Sequence, residues 1–151
     1  MSAVVSYVVL KTVLKARKQR SVLSNCCNCV LTVEGKEIPI RCFVDTGNFL
    51  VDPLSGYPVV LVEFQVLKRG IASDFPKPMT FEFAAHFSCR ARIVPYHSVD
   101  GEDQMLSAFV AEKFTVNGRN RNVVIAATPR TLDSRGRFCG IISPDLIGGE
   151  E

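Results

Sequence analysis

A mainly β chain, with one short helix near its C-terminus and a helical stub at its N-terminus, is what the sequence predicts. Three observations carry this. Residues 26–44 are two period-2 runs around Glu34-Gly35, which reads as a hairpin. Residues 109–128 hold two more apolar runs around Asn117-Gly118, a second hairpin signal. The rest is a succession of short apolar runs separated by turn residues, ending on a single helix start.

The elements follow in chain order. "MSAVVSYVVLKTVLKARKQR" is apolar up to Lys11 and then basic, with five bases and no acid in twenty residues. Its apolar part is too short to span a bilayer alone, since about 20 apolar residues are needed. An ordinary helix, an interfacial helix and the last turns of a membrane helix all fit it; apolar residues followed by Lys and Arg are what a cytoplasmic helix end looks like. In the first hairpin, a two-residue loop at Glu34-Gly35 sets Val33 against Lys36 and Cys27 against Cys42. One face then carries Cys27, Cys29, Leu31, Ile38, Ile40 and Cys42, and a one-residue slip would mix the faces. "YPVVLVEF" (57–64) reads as a nearly continuous apolar strand and residues 70–80 as loop. Residues 81–96 read as one or two strands, and 97–108 as an exposed hairpin. Ser143 is placed to cap a short helix with Pro144 at its first position.

With 151 residues, 47% of them apolar and 22% charged, the chain is long enough to bury one core. Beyond the basic first twenty residues, 13 bases face 15 acids, so no basic groove for nucleic acid is indicated. Six cysteines are expected to be reduced thiols, several on the inward face of the hairpin. "NCCNC" has no second cysteine pair to complete a zinc site, so neither a metal nor a cofactor is predicted.

Chemistry concentrates at Asp45, Thr46 and Gly47, directly after the apolar end of the second strand. The strand delivers a carboxylate, Gly47 permits a sharp turn, and the Thr46 hydroxyl is free to bond a neighbouring loop. An Asx turn that caps its own backbone explains the same residues without chemistry. A carboxylate that activates water needs a second one, because two facing carboxyls share a proton and divide the roles of base and acid. No second Asp-Thr-Gly or Asp-Ser-Gly occurs. A catalytic Asp45 therefore requires a second copy of the chain, in a symmetric homodimer with the site on the two-fold axis.

"VDTGNFLVDPLSGYPVVLVE", "RIVPYHSVDG" and "IISPDLI" resemble the sporulation sigma-E factor-processing peptidase family, whose protease domain is retropepsin-like. The resemblance spans about residues 5–148, with Ser143-Pro144 where retropepsins usually carry Gly-Arg. It implies a closed β-barrel-type subunit, with residues 1–22 as a stub or linker and 23–151 as the aspartic protease domain. It further implies a membrane-associated, homodimeric aspartic endopeptidase that removes the N-terminal pro-segment of a sporulation sigma factor. A signalling protein would switch it on. Asp45 matches the family's catalytic aspartate, with Thr46 and Gly47 completing the motif. Val99, Asp100 and Gly101 match a flap over the substrate; an ordinary surface hairpin explains them equally. The implied location is the cell membrane, with the protease domain on the cytoplasmic side and a multi-span membrane domain outside this chain, which by itself can be soluble. The competing reading is a non-catalytic module of the same fold that serves dimerisation or partner binding. His97 is expected to be exposed, Asp52 to cap the Pro53 turn, and Arg90, Arg92, Arg119, Arg121, Arg130, Arg135 and Arg137 to be solvated.

Overall fold

The computed structural model describes residues 2–97 and 101–148. A helix, α1 (Ser2–Ser24), leads into the hairpin β1 (Cys26–Val33) and β2 (Lys36–Val44). Then come β3 (Val59–Glu63), α2 (Phe64–Ile71), α3 (Phe81–Phe87), β4 (Ala91–His97) and β5 (Asp103–Val110). The chain ends with β6 (Lys113–Val116), β7 (Arg119–Asn120), β8 (Val124–Thr128), β9 (Gly140–Ile142) and a 3-10 turn at Pro144–Leu146. The described residues are thus mainly β, as expected.

The first hairpin has the expected register, from Val33 opposite Lys36 to Cys27 opposite Cys42. Glu34 and Gly35 both have positive φ (53° and 75°), the geometry that two-residue hairpin loops require. Asn117 and Gly118 do the same between β6 and β7 (49° and 82°). The inward row of cysteines, Leu31, Ile38 and Ile40 is buried, which explains why this register and no other is adopted.

The nine strands among the described residues form one sheet in the order β4-β5-β8-β3-β9-β2-β1-β6-β7. The expected closed barrel is not formed: β4 and β7 are its two edges, and no described strand joins them. The two edges differ: β7 has only two residues, whereas β4 has seven and carries Pro95. Three other expectations are corrected. Residues 81–90 are helical rather than extended, because the Thr80 hydroxyl accepts from the Phe83 N–H (3.3 Å) and Phe83 and Phe87 bury one helical face. The apolar run at 57–64 gives way to helix at Phe64, where Phe64, Leu67 and Ile71 take up helical spacing and are buried. The C-terminal helix is a single 3-10 turn; Ser143 caps it through a bond from the Asp145 N–H (3.3 Å), with Pro144 first.

Each sheet face has its own core. On one side α2 and α3 cover the hairpin residues and an aromatic cluster in which Phe87 stacks on Phe109 (centroids 4.1 Å apart, 4° between planes). On the other, Val59, Leu61, Val94, Leu106, Val124 and Ala126 are buried beneath Leu50, Tyr57, Tyr96 and Leu132. The segment that follows Asp45 therefore lies over this second face.

β9 is inserted between β2 and β3, parallel to the first and antiparallel to the second. The strands fit closely at Gly140, where a Cβ would meet Cys42 Sγ at 2.8 Å, Ile40 Cγ2 at 3.0 Å and the Leu61 carbonyl oxygen at 3.1 Å. Gly140→Ala is expected to destabilise the protein by up to about 3 kcal/mol through overpacking. Urea unfolding checks this, and an unchanged midpoint would show that the strands adjust freely.

Candidate functional site

β2 ends at Val44, whose N–H donates to the Asn25 carbonyl (2.8 Å). The Asp45 N–H then donates to the Ile142 carbonyl on β9 (3.0 Å), so the inserted strand fixes the backbone of Asp45. Its Oδ1 accepts from the Gly47 N–H (2.9 Å), and its carbonyl accepts from the Asn48 N–H (3.1 Å). This is the Asx turn foreseen from the sequence. It leaves Asp45 half-buried, with Thr46 and Gly47 exposed. Asn48, by contrast, is buried and its Oδ1 accepts from the Leu50 N–H (3.2 Å).

Asp45 lies in the lining of a cleft of about 500 Å³. Leu61 and Ile141, opposite each other on β3 and β9, contribute one wall. Phe49 and Leu50 come from the segment after Asp45, and Tyr96 and His97 from the end of β4. The cleft is mostly apolar, with Asp45 as its acid, and Phe49 stands 76% exposed beside it. His97 is exposed as expected, yet it reaches this cleft; its Nδ1 bonds Asp103 Oδ1 at 2.5 Å across the β4–β5 pair. Of the candidate flap residues, Gly101 follows with a φ of 80°, while Val99 and Asp100 lie outside the described residues. Sequence reasoning placed no role on Tyr96 or Phe49, which touch the cleft only through tertiary packing.

Asp52 is a turn cap, as foreseen. Its carboxylate accepts from the Ser55 hydroxyl (2.6 Å), the Ser55 N–H (3.1 Å) and the Leu54 N–H (3.5 Å). It also holds Arg92 Nε at 3.1 Å. Burial pushes its pKa upward, but the bonds from Ser55, Arg92 and Leu54 outweigh burial and hold the carboxyl below its ordinary range. Arg92 in turn donates to the Cys89 and Ala91 carbonyls (2.8 and 2.9 Å). Two of the arginines expected to be solvated are thus largely buried in ion pairs, Arg92 with Asp52 and Arg137 with Asp133.

Asp133 accepts from Arg137 Nε (2.8 Å), Arg137 Nη2 (2.9 Å) and the Arg137 N–H (2.8 Å), and this guanidinium holds its carboxyl well below the usual carboxylate range. Because the folded pKa is depressed, its stabilisation is complete above the unfolded value near pH ~4 and fades as pH falls further. Asp133→Asn is therefore expected to be less stable than the parent at pH 7, with the gap narrowing at pH 3. Urea titrations at both pH values check this, and a gap independent of pH would remove the ionised pair from the account.

The six cysteines are free thiols. Contact with Cys29 (sulfurs 3.8 Å apart), followed by burial, pushes the Cys27 thiol upward, so it is a core residue rather than a nucleophile. Among the described residues no cluster of three or more His, Cys, Asp or Glu is arranged to hold a metal. No described helix is long and apolar enough to cross a membrane. Along α1, Val5, Val9 and Leu10 are more than half exposed.

A mainly β protein with a carboxylate at a strand end, in an apolar cleft that the end of β4 helps to line, is the class that this layout defines. The chain matches the family Peptidase_U4, described as sporulation factor SpoIIGA, over residues 1–146, and it belongs to that family. It is 22% identical over 125 residues to a Bacillus thuringiensis subsp. kurstaki protein provisionally named a sporulation sigma factor-processing peptidase, covering 74% of this chain and 78% of that one. It is 25% identical over 126 residues to the sporulation sigma-E factor-processing peptidase of Bacillus subtilis (strain 168). That match covers 74% of this chain but 41% of the relative, so the chain spans under half of that protein's length.

Proposed function

We propose that this chain is an aspartic endopeptidase domain of retropepsin type, active as a homodimer, that removes the N-terminal pro-segment of a sporulation sigma factor precursor. The observation that carries the reading is Asp45 itself: a half-buried carboxylate, fixed by β9 and its own turn, in an apolar cleft. Membership in a family whose relatives are named sigma factor-processing peptidases supplies the substrate class. Among the described residues the cleft lining holds no second acid, and this supports a partner carboxylate from a second chain.

The chemistry follows. Asp45 and Asp45 of the second copy share one proton. The ionised carboxylate takes a proton from a water molecule as that water attacks the peptide carbonyl. The protonated carboxyl donates to the carbonyl oxygen as the tetrahedral intermediate forms, and the leaving nitrogen is protonated as it collapses. The apolar cleft wall holds the flanking side chains of the peptide, and the β4–β5 hairpin covers them. A membrane-tethered assembly with a signalling activator belongs to the same reading. Tethering would raise the effective concentration of the two halves.

The test is the order of the reaction in protein. At concentrations below the dimer dissociation constant, the cleavage rate of a sigma factor precursor is expected to rise with the square of chain concentration. Sedimentation velocity in the same buffer should show the dimer appearing in step. Cleavage by a strict monomer would sink the shared dyad. A second reading, a partner-binding module of the same fold, is favoured by the Asx turn, which explains Asp45 without catalysis.

A further inference from the structure

The free edge of β4 runs between two hollows. Tyr96 and His97, at one end of the strand, line the cleft that holds Asp45. Arg92 and Ile93, near the other end, line a second hollow of about 460 Å³. The segment that follows Asp45 also borders both, with Phe49 to Val51 in the first and Asp52 to Leu54 in the second. The second hollow takes residues from both faces of the sheet: Leu54 on the side of the Asp52 turn, Met79 and Phe83 on the side of α3. It therefore straddles the strand's edge. Its apolar residues include Leu54 (78% exposed), Ile93 and Met79 (59% each).

β4 is paired only with β5 among the described strands. Pro95 fixes which of its backbone groups face outward. Proline has no N–H for the ladder, so inside a paired strand its nitrogen belongs on the free edge. In an antiparallel strand the N–H and C=O of one residue point to the same neighbour, and successive residues point to opposite ones. Ile93 and His97, two residues either side of Pro95, thus present N–H and C=O groups outward. These are the atoms that an added strand bonds.

We infer that β4 is a docking strand for the peptide substrate: an extended segment pairs with its free edge and places one apolar side chain in the hollow of Leu54, Ile93, Met79 and Phe83. This rests on the reading of Asp45 as the cleaving residue. The distance from His97 to Ile93 along the strand is about 13 Å, so the anchored side chain lies about four residues from the peptide bond at Asp45. The hollow selects bulky apolar residues, and the Asp52–Arg92 pair fixes its two walls relative to each other.

The test uses the full chain carrying Asp45→Asn and a library of random twelve-residue peptides displayed on phage. Selected peptides are expected to carry an apolar residue at a constant position and to slow amide exchange at Ile93 and His97 at least tenfold. Leu54→Asp, at an exposed position, should weaken their binding at least tenfold. Ile93→Pro removes the outward N–H but no bond to β5 and should weaken it similarly, with both variants folding normally by circular dichroism. The inference is overturned if no selected peptide protects Ile93 and His97, or if both variants bind as tightly as the parent. It is also overturned if the two substitutions act only by dissociating a dimer in sedimentation, since a second copy then occupies the edge. The Asp45 reading is judged separately: the chain with Asp45 intact should cleave the same peptides, and its failure to do so while β4 is protected would leave a binding strand without the protease.

Discussion

Asp45→Asn is expected to lower the rate of precursor cleavage by at least about a thousandfold, since it removes the group proposed to act as both acid and base in the dyad. Folding should survive. The Asp45 N–H bond to Ile142 is made by the backbone, and the asparagine side-chain oxygen can still accept from the Gly47 N–H. Thermal unfolding of the variant should therefore stay within about 1 kcal/mol of the parent. Unfolding and cleavage measured on one preparation separate the two effects. Cleavage at the parent rate would end the assignment of Asp45.

The largest effect on stability is expected at Phe109. It is fully buried, stacked on Phe87, and lies within 6.3 Å of the Phe83 ring centre. It joins the sheet to α3 through those contacts, on a strand that also pairs with β4 and β8. Phe109→Ala should cost about 3–5 kcal/mol by leaving a cavity under a helix of seven residues. For a chain of this length that corresponds to a fall in Tm of roughly 10–15 °C. Calorimetry measures it directly. A fall of under about 3 °C would mean that α3 collapses into the space and that the aromatic stack holds little of the fold.

What could be read from the sequence was local. The hairpin register from Val33–Lys36 to Cys27–Cys42 followed from a two-residue loop and an alternating face, both visible within nineteen residues. The Asp52 turn and the Ser143 cap were equally local. The signals for α2 and α3 were present but masked. Phe64, Leu67 and Ile71 have helical spacing, and Thr80 is a good cap, but neighbouring apolar runs suggested strand. The open sheet was not legible, because it depends on which distant strands meet. The same holds for Arg92 and Arg137, whose burial is decided by partners on other elements or across a folded loop. Asp45 was visible as a motif, but the cleft around it draws on β3, β4 and β9 at once.

The insertion of β9 between β2 and β3 also sets an order of events during synthesis. β3 leaves the ribosome roughly eighty residues, and β2 nearly a hundred, before the strand that must slot between them. Until then each offers an unpaired edge, and closing so long a loop is entropically slow. The Asp45 N–H can donate to the Ile142 carbonyl only at that last step. A nascent chain that has emitted Asp45 but not Ile142 holds the carboxylate on an unanchored turn. Under the proposed function, such a chain would hold its carboxylate unanchored until β9 is in place.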